Sequence, residues 1–437
     1  MKHLLAAIGI VAAGATALHG QTTESQPTSN SELTSQEKTK FWSVSGALRG
    51  FYDDNYTAIP KSEGPLRSWG VEVSPSLSLN WAPAETLVGA SYVYDYKYYE
   101  NQSQHDQTQQ FNGKLIHNFT PRYRLELNDS FVLSSEPTVL DTTVISSPVK
   151  RTLEDNLRNR ASILFAAELT PILGTEIGYQ NTIYDYRQDL GDMSPAPDGT
   201  VGPSRSALLD RMEHLITLDL RWKVLPETTG ILGYQFQFRD YTSSESITPT
   251  NPFLLLPTVP ASARDSRSHF LFIGADQSVG PNLRASVRVG GQYLDYYNVP
   301  TDKLSPYADA NVTWTYLPGS YAQVGLKHEH AATDIVGDPT YFVRDQEATT
   351  IYGAVTHKIT AKLVGSALGQ YQNSQFNGGG AGISGVGENF FLANVNLAYK
   401  INPYLLTEAG YEYNHLDSQF DRAYTRNRVY LGVRATY

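Results

Sequence analysis

Apolar and polar residues alternate along this chain from Phe41 to Tyr437, in segments of about ten to fourteen residues, and no other feature constrains the fold as tightly. Val71, Val73, Leu77, Leu79 and Trp81 share one face while Glu72, Ser74, Ser76, Ser78 and Asn80 share the other. Ala161, Ile163, Phe165, Ala167 and Leu169 oppose Arg160, Ser162 and Glu168 in the same way. So do Leu283, Ala285, Val287 and Val289 against Arg284, Ser286 and Arg288, and Val429, Leu431, Val433, Ala435 and Tyr437 against Arg428, Tyr430, Arg434 and Thr436. A period of two is the signature of a strand with two unlike faces, not of a helix.

The connections alternate too. Short turns near 82–85, 120–121, 170–173, 225–228, 280–282, 317–320, 360–361 and 401–403 often carry proline, which cannot donate to a ladder. Between them lie longer polar connections, such as 55–66, 99–108, 134–155, 188–209, 242–265, 333–345 and 373–387. Short on one side and long on the other is the sidedness of an outer-membrane barrel. The reading is therefore all-β: a closed antiparallel transmembrane barrel of about 18 strands, with short periplasmic turns, longer extracellular loops and both chain ends in the periplasm. One hairpin fewer or more gives about 16 or 20. Segments 266–278 and 362–373 are the weakest, because their faces mix.

A soluble sandwich also alternates, but this many strands would need several cores, and no linker divides residues 41–437. The polar face is densely charged: Arg49, Arg122, Arg124, Glu126, Arg158, Arg160, Glu168, Arg211, Asp219, Arg221, Arg239, Arg284, Arg288, Asp309, Lys327, Glu408, Glu412, Arg428 and Arg434. An arginine facing lipid at the midplane costs about 2–4 kcal/mol, so this face is expected to line an aqueous lumen. Composition agrees. Mean hydropathy is −0.34, too low for a bundle of membrane helices, and the net charge of −10 disfavours nucleic-acid binding. There is no cysteine, which removes disulfides, thiolate zinc sites and thiol nucleophiles.

The excess of 29 tyrosines finds a use in the same architecture. Tyr92, Tyr94 and Tyr96, Tyr293, and Tyr411 with Tyr413 cluster where strands meet the long connections, as an aromatic girdle at the membrane interface requires. At the start, Lys2 and His3 precede an apolar run, Leu4–Ala17, that reads as a secretory signal over residues 1–20. Residues 21–40 read as a disordered polar periplasmic tail, and 41–437 as the barrel.

The alternating residues before Tyr437 resemble the C-terminal assembly signal of bacterial outer-membrane proteins. The opening segment Ser45-Gly-Ala-Leu-Arg-Gly-Phe-Tyr-Asp-Asp-Asn-Tyr56 resembles the first strand of the putative β-barrel porin-2 family, whose members often accompany exopolysaccharide genes. The resemblance implies an outer-membrane channel, in some members serving polysaccharide export, with the barrel-assembly machinery, lipid and lipopolysaccharide as partners. It assigns no catalytic residue, cofactor or metal.

The leading functional expectation is a porin-like channel for small hydrophilic solutes. Because arginine outnumbers acid among the assigned inward residues, a preference for anions or acidic sugars is one outcome; pairing of the charges across strands is the other. A non-conducting adhesin or structural barrel is the third reading. Tyr184, Tyr352 and Tyr430 are expected inside, as wall residues or as platforms for sugar rings. Loop 243–265 contains Asn251-Pro-Phe-Leu-Leu-Leu-Pro257, too apolar to be fully solvated, and is expected to fold inward as a constriction or to pack on a neighbouring loop or protomer. The cluster His328-Glu329-His330 lacks a third ligand in sequence reach and falls on the lipid side by alternation, so both histidines are assigned to the interface and an enzyme is set aside.

Overall fold

The computed structural model describes residues 40–437 except 103, 136–154, 255–256, 337–341, 381–382 and 421. The expected signal, residues 1–20, and all but the last residue of the expected tail, 21–40, lie outside the described residues. Eighteen strands form one sheet: β1 Trp42–Asp53, β2 Ser68–Trp81, β3 Thr86–Tyr99, β4 Gln104–Thr120, β5 Tyr123–Ser134, β6 Asn156–Glu168, β7 Leu173–Tyr186, β8 Arg211–Leu225 and β9 Thr228–Tyr241. They continue as β10 Ser266–Val279, β11 Leu283–Tyr296, β12 Thr301–Leu317, β13 Ser320–Ala331, β14 Val343–Lys358, β15 Leu363–Gly378, β16 Gly387–Asn402, β17 Leu405–Asp417 and β18 Tyr424–Thr436. One short helix, α1 (Arg205–Leu209), precedes β8. Each strand pairs antiparallel with its sequence neighbours, and β1 pairs with β18 from Ser45↔Thr436 to Asp53↔Arg428, which closes the barrel. No sheet edge is left to face lipid.

Alternation sets the two faces. On β1, Trp42, Val44 and Leu48 are exposed while Ser43, Ser45, Ala47 and Phe51 are buried. Large apolar side chains outside and small or polar ones inside is the reverse of a soluble protein, and it is what a wall between lipid and water needs. Several strands run further toward the long loops than the apolar pattern suggests. β4 begins at Gln104 and β15 ends at Gly378, through polar Gln, Asn and Ser residues. The ladder is made by the backbone, so it continues where the side chains no longer need lipid.

The mixed faces of β10 have a specific cause. Phe270 and Phe272 turn inward and form an apolar cluster with Ile231 and Tyr307. Phe272 lies against Gly233 of β9, where an added Cβ would stand 2.1 Å from the ring. Tyr430 lies over Gly410 and Tyr352 over Gly325 in the same manner, with an added Cβ 2.2 Å from each ring. These rings lie over the wall glycines, and Tyr352 and Tyr430 remain partly exposed.

Aromatic side chains form two belts. At the long-loop end Tyr92, Tyr94 and Tyr96 turn outward on β3, with Tyr293 on β11 and Tyr411 and Tyr413 on β17. Histidines join them: Tyr96 stacks on His105, the Tyr179 hydroxyl meets His214 Nδ1 at 2.8 Å, and Tyr234 meets His269 Nδ1 at 2.8 Å. A second belt at the short-turn end, which the sequence reading missed, holds Trp42, Trp81, Phe119, Tyr123, Trp222, Trp314, Tyr404 and Tyr437. Tyr437 packs on Trp42 with ring centroids 5.7 Å apart, and its backbone bonds Val44.

One ladder is cut short. Odd residues of β12 turn their N–H and C=O toward β11, as the 2.8 Å bond from Thr315 N to Asn282 O shows. Even residues therefore face β13, and among them is Pro306, which has no N–H to give. Pairing of β12 with β13 stops at Ala308↔His328, although β12 stays paired with β11 as far as Thr301↔Tyr296.

The glycine seats give a test. Gly410→Val places a side chain where the Tyr430 ring lies and is expected to destabilise the barrel by about 1–3 kcal/mol. Gly369→Ala, at a site with nothing within 4 Å of the added Cβ, is expected to be close to neutral. Urea unfolding in lipid vesicles, followed by gel mobility, reads both.

Candidate functional site: the lumen and its inward-folded loops

The lumen is lined by charges that answer one another. Across the closing seam Arg434 Nη2 approaches Glu408 Oε1 at 3.9 Å, Arg49 Nε bonds Glu408 Oε1 at 2.6 Å, and Arg49 also pairs with Glu72. Arg428 Nη2 then bonds Glu72 Oε2 at 2.7 Å and lies 3.8 Å from Glu412 Oε2, and Arg426 holds Asp53 at 2.7 Å. The chain of alternating sign thus runs over β17, β18, β1 and β2, the place where the first strand meets the last. On the opposite wall Arg221 bridges Glu176 at 3.2 Å and Asp276 at 2.6 Å, and Arg288 lies 3.7 Å from Asp276. Glu213 receives Arg211 at 2.7 Å and Arg239 at 3.1 Å, Lys327 bonds Glu329 at 2.7 Å, and Arg124 with Lys114 flanks Glu126. Arg158 donates to Ser130 Oγ at 3.0 Å, and Arg160 alternates with it on β6.

One assigned residue stands outside the strands, and another lies at the end of its strand. Arg122 is exposed in the turn between β4 and β5, outside any strand, because the turn takes Pro121 and Arg122 as its corner. Arg284 is exposed at the short-turn mouth, where β11 has barely begun. The sequence reading also passed over inward acids: Glu176, Glu213, Asp276 and Glu329. Asp276 sits on β10, whose mixed faces hid its direction, and Glu329 was read only as part of a histidine cluster.

His330 is likewise not an interface residue. Beyond the break at Pro306 the β12–β13 ladder ends, and the His330 ring is buried between Ser305 Oγ at 2.7 Å and Asp345 Oδ2 at 3.1 Å. His328 does stay on the outward side, bonded to Thr349 and Glu347. The two histidines therefore diverge, and among the described residues no three side chains converge as a metal site would require.

At the long-loop end the barrel is not empty. The loops after β7, β9 and β13 fold inward and build an apolar cluster from Ala207, Leu208 and Leu209 of α1, Ile247 and Ala261, against the wall residues Val132, Tyr184, Tyr186 and Tyr241. Tyr184 is covered by this cluster and by the Arg211 guanidinium, 3.7 Å from its ring centroid. The keystone is Arg264, 1% exposed, whose guanidinium donates to four carbonyls: Val343 at 2.8 Å and Leu208, Thr333 and Ile335 at 3.0 Å each. Burial pulls this guanidinium below its ordinary pKa. Hydrogen bonds to a charged group contribute about 1.5–3 kcal/mol each, which offsets that burial and ties three loops together. In loop 243–265 both expected behaviours occur in different parts. The base folds inward, while Asn251 and Phe253 of the tip pack on the neighbouring loop at Asp198, Gly199 and Thr200, with Phe253 still exposed. Residues 255 and 256 of the apolar stretch lie outside the described residues.

Two aspartates secure the loop bases alike. Tyr186 N donates to Asp210 and Tyr241 N to Asp265, both at 2.7 Å. Burial raises each carboxyl from 3.8 to about 6. A raised folded value means the inward-folded loops take up protons. Their contribution to stability is full below 3.8 and is lost as the pH rises through about 6. Lowering the pH from 7 to 5 is thus expected to tighten the plug, read as slower amide exchange over residues 205–210 and 261–265. Asp210→Asn with Asp265→Asn removes the dependence.

A closed wall with an apolar outside, aromatic belts and a charged inside defines an integral outer-membrane barrel of the porin class. The chain belongs to the family described as Putative beta-barrel porin 2, which matches residues 44–437. No curated protein matches it. Similar solved structures include the outer membrane protein opdK from Pseudomonas aeruginosa, 12% identical, covering 91% of this chain and 99% of that one with a TM-score of 0.42. Pseudomonas aeruginosa OpdO is 11% identical over 91% and 97% with a TM-score of 0.42, and Acinetobacter baumannii OccAB3 is 12% identical over 91% and 99% with a TM-score of 0.40.

Proposed function

We propose that this barrel is a loop-constricted channel for small hydrophilic solutes, with weak ion selectivity. The observation that carries it is a polar lumen whose charges are paired strand to strand beneath a plug locked by Arg264. Pairing reduces the surplus of arginine on which an anion preference would rest, because Arg49, Arg124, Arg211, Arg221, Arg239, Arg428 and Arg434 each have a carboxylate close by that offsets their charge. The plug favours small solutes over an exported polymer chain. The long loops are read as facing the exterior and both chain ends as periplasmic. The aromatic belts seat the wall in lipid and lipopolysaccharide, and Tyr437, exposed at the rim beside Trp42, is read as the assembly signal.

Planar-bilayer recordings test this. The expected result is a small unit conductance with a reversal potential near zero in a salt gradient, and a larger conductance in Arg264→Ala. Absence of channels in both proteins, or strong cation preference, overturns the proposal. Glu72→Gln and Glu408→Gln leave Arg49 facing neutral partners, so the reversal potential is expected to move toward anions. Breaking a buried pair also costs about 3–5 kcal/mol, which appears as a lower unfolding midpoint.

A further inference from the structure

We propose that Ser305, His330 and Asp345 form an acyl-transfer site in the barrel wall, able to hydrolyse an ester carried by a solute that reaches it from the lumen. This is an activity additional to the channel. The three residues come from β12, β13 and β14 and meet just beyond the point where the β12–β13 ladder ends, at Ala308↔His328. Two groups meet His330 Nδ1: the Asp345 carboxylate at 3.1 Å and the Asn377 amide nitrogen at 3.4 Å. The carboxylate is the nearer and can only accept, and the amide already donates to Asp345, so the imidazole proton is placed on Nδ1. Nε2 is then an acceptor, and the Ser305 hydroxyl donates to it across 2.7 Å. This is the order of contacts that nucleophile, base and orienting acid require.

The supporting contacts fix each member. Asp345 also accepts from the Tyr296 hydroxyl and the Asn377 amide, so its carboxylate cannot turn away from the imidazole. The His330 backbone N–H reaches Gln292 Oε1 at 3.4 Å, and Gln292 is held in turn by Ser268 Oγ at 3.1 Å. Leu304, next to Ser305, turns its N–H toward the split and has no ladder partner on β13. It is the backbone donor nearest in sequence to the nucleophile that the ladder leaves for an oxyanion.

In the reaction Ser305 Oγ attacks the ester carbonyl carbon and its proton passes to His330 Nε2. The tetrahedral adduct then collapses, the bond to the alkoxy oxygen breaks, and the departing alcohol takes the proton from Nε2. Water repeats the attack on the acyl-serine, releases the carboxylic acid and restores the Ser305 hydroxyl, while Asp345 stays ionised throughout. The site is closed in this structure: Ser305 is 4% exposed and His330 3%. Arg264 holds the Thr333 carbonyl, three residues after His330, and the Val343 carbonyl, two residues before Asp345, so releasing this guanidinium is expected to loosen the chain beside both residues.

The test is a fluorophosphonate applied to the folded barrel in detergent, with the adduct located by peptide mass. Ser305 is expected to be labelled in wild type, faster in Arg264→Ala or Arg264→Gln, and not at all in Ser305→Ala. His330→Asn is expected to slow labelling by about a hundredfold while the barrel keeps its heat-modifiable gel mobility. Ser305→Cys in the Arg264→Ala background, treated with a maleimide, reports access independently. Alkylation of that cysteine without phosphonylation of Ser305 shows that the array only braces the split ladder and overturns the proposal. So does a cysteine that stays unmodified, or labelling that is indifferent to His330. The adduct is read by mass, so these outcomes are distinct from a failure to conduct.

Discussion

Everything in this molecule depends on the closure of the backbone ladder between β1 and β18. An unpaired N–H or C=O in hydrocarbon costs several kcal/mol, and a strand exposes one such pair at every second residue. A sheet of this size is tolerable in a membrane only as a ring. Once the ring is closed, the two faces of every strand are assigned. Lipid receives Val, Leu, Ile and the aromatic belts, and the charged side chains share a confined aqueous space in which each must find a partner. The densest run of ion pairs, from Arg434 through Glu408, Arg49 and Glu72 to Arg428, lies across the closing seam itself.

The same constraint explains the exceptional features. Pro306 cannot donate to β13, so the wall gives up its backbone ladder there and replaces it with side chains: Ser305 with His330, Lys303 with Glu347, and Tyr296 with Asp345. A wide ring must also fill or narrow its own bore. Here that is done from the long-loop end by α1 and the loops that Arg264 ties together, and within the wall by rings laid over Gly233, Gly325 and Gly410. Filling by loops leaves them releasable, because they are held by a few polar contacts and not by a ladder.

Much of this was legible in the sequence. Strand number, sidedness, the inward direction of Arg49, Arg158 or Glu408, and the outward direction of Tyr92 or Tyr411 all follow from parity, which is local. Where parity was diluted the reading weakened: Phe270 and Phe272 face inward on β10, so Asp276 beside them was overlooked. His330 was placed outside because strict alternation extends β13 as a straight strand. In the structure its pairing with β12 stops before His330, and the cause lies on that other strand, at Pro306. Arg122 was counted into a strand because the turn and the strand share a polar character.

By itself, then, the sequence determined the ring and its two faces, because a period of two is written residue by residue and lipid permits only one way of closing it. Only the tertiary structure decided which charges cancel, which loops enter the bore, and that Ser305, His330 and Asp345 meet. Those contacts join residues from 2 to 373 positions apart, and loop paths and breaks in strand pairing, which carry no periodic signal, bring them together.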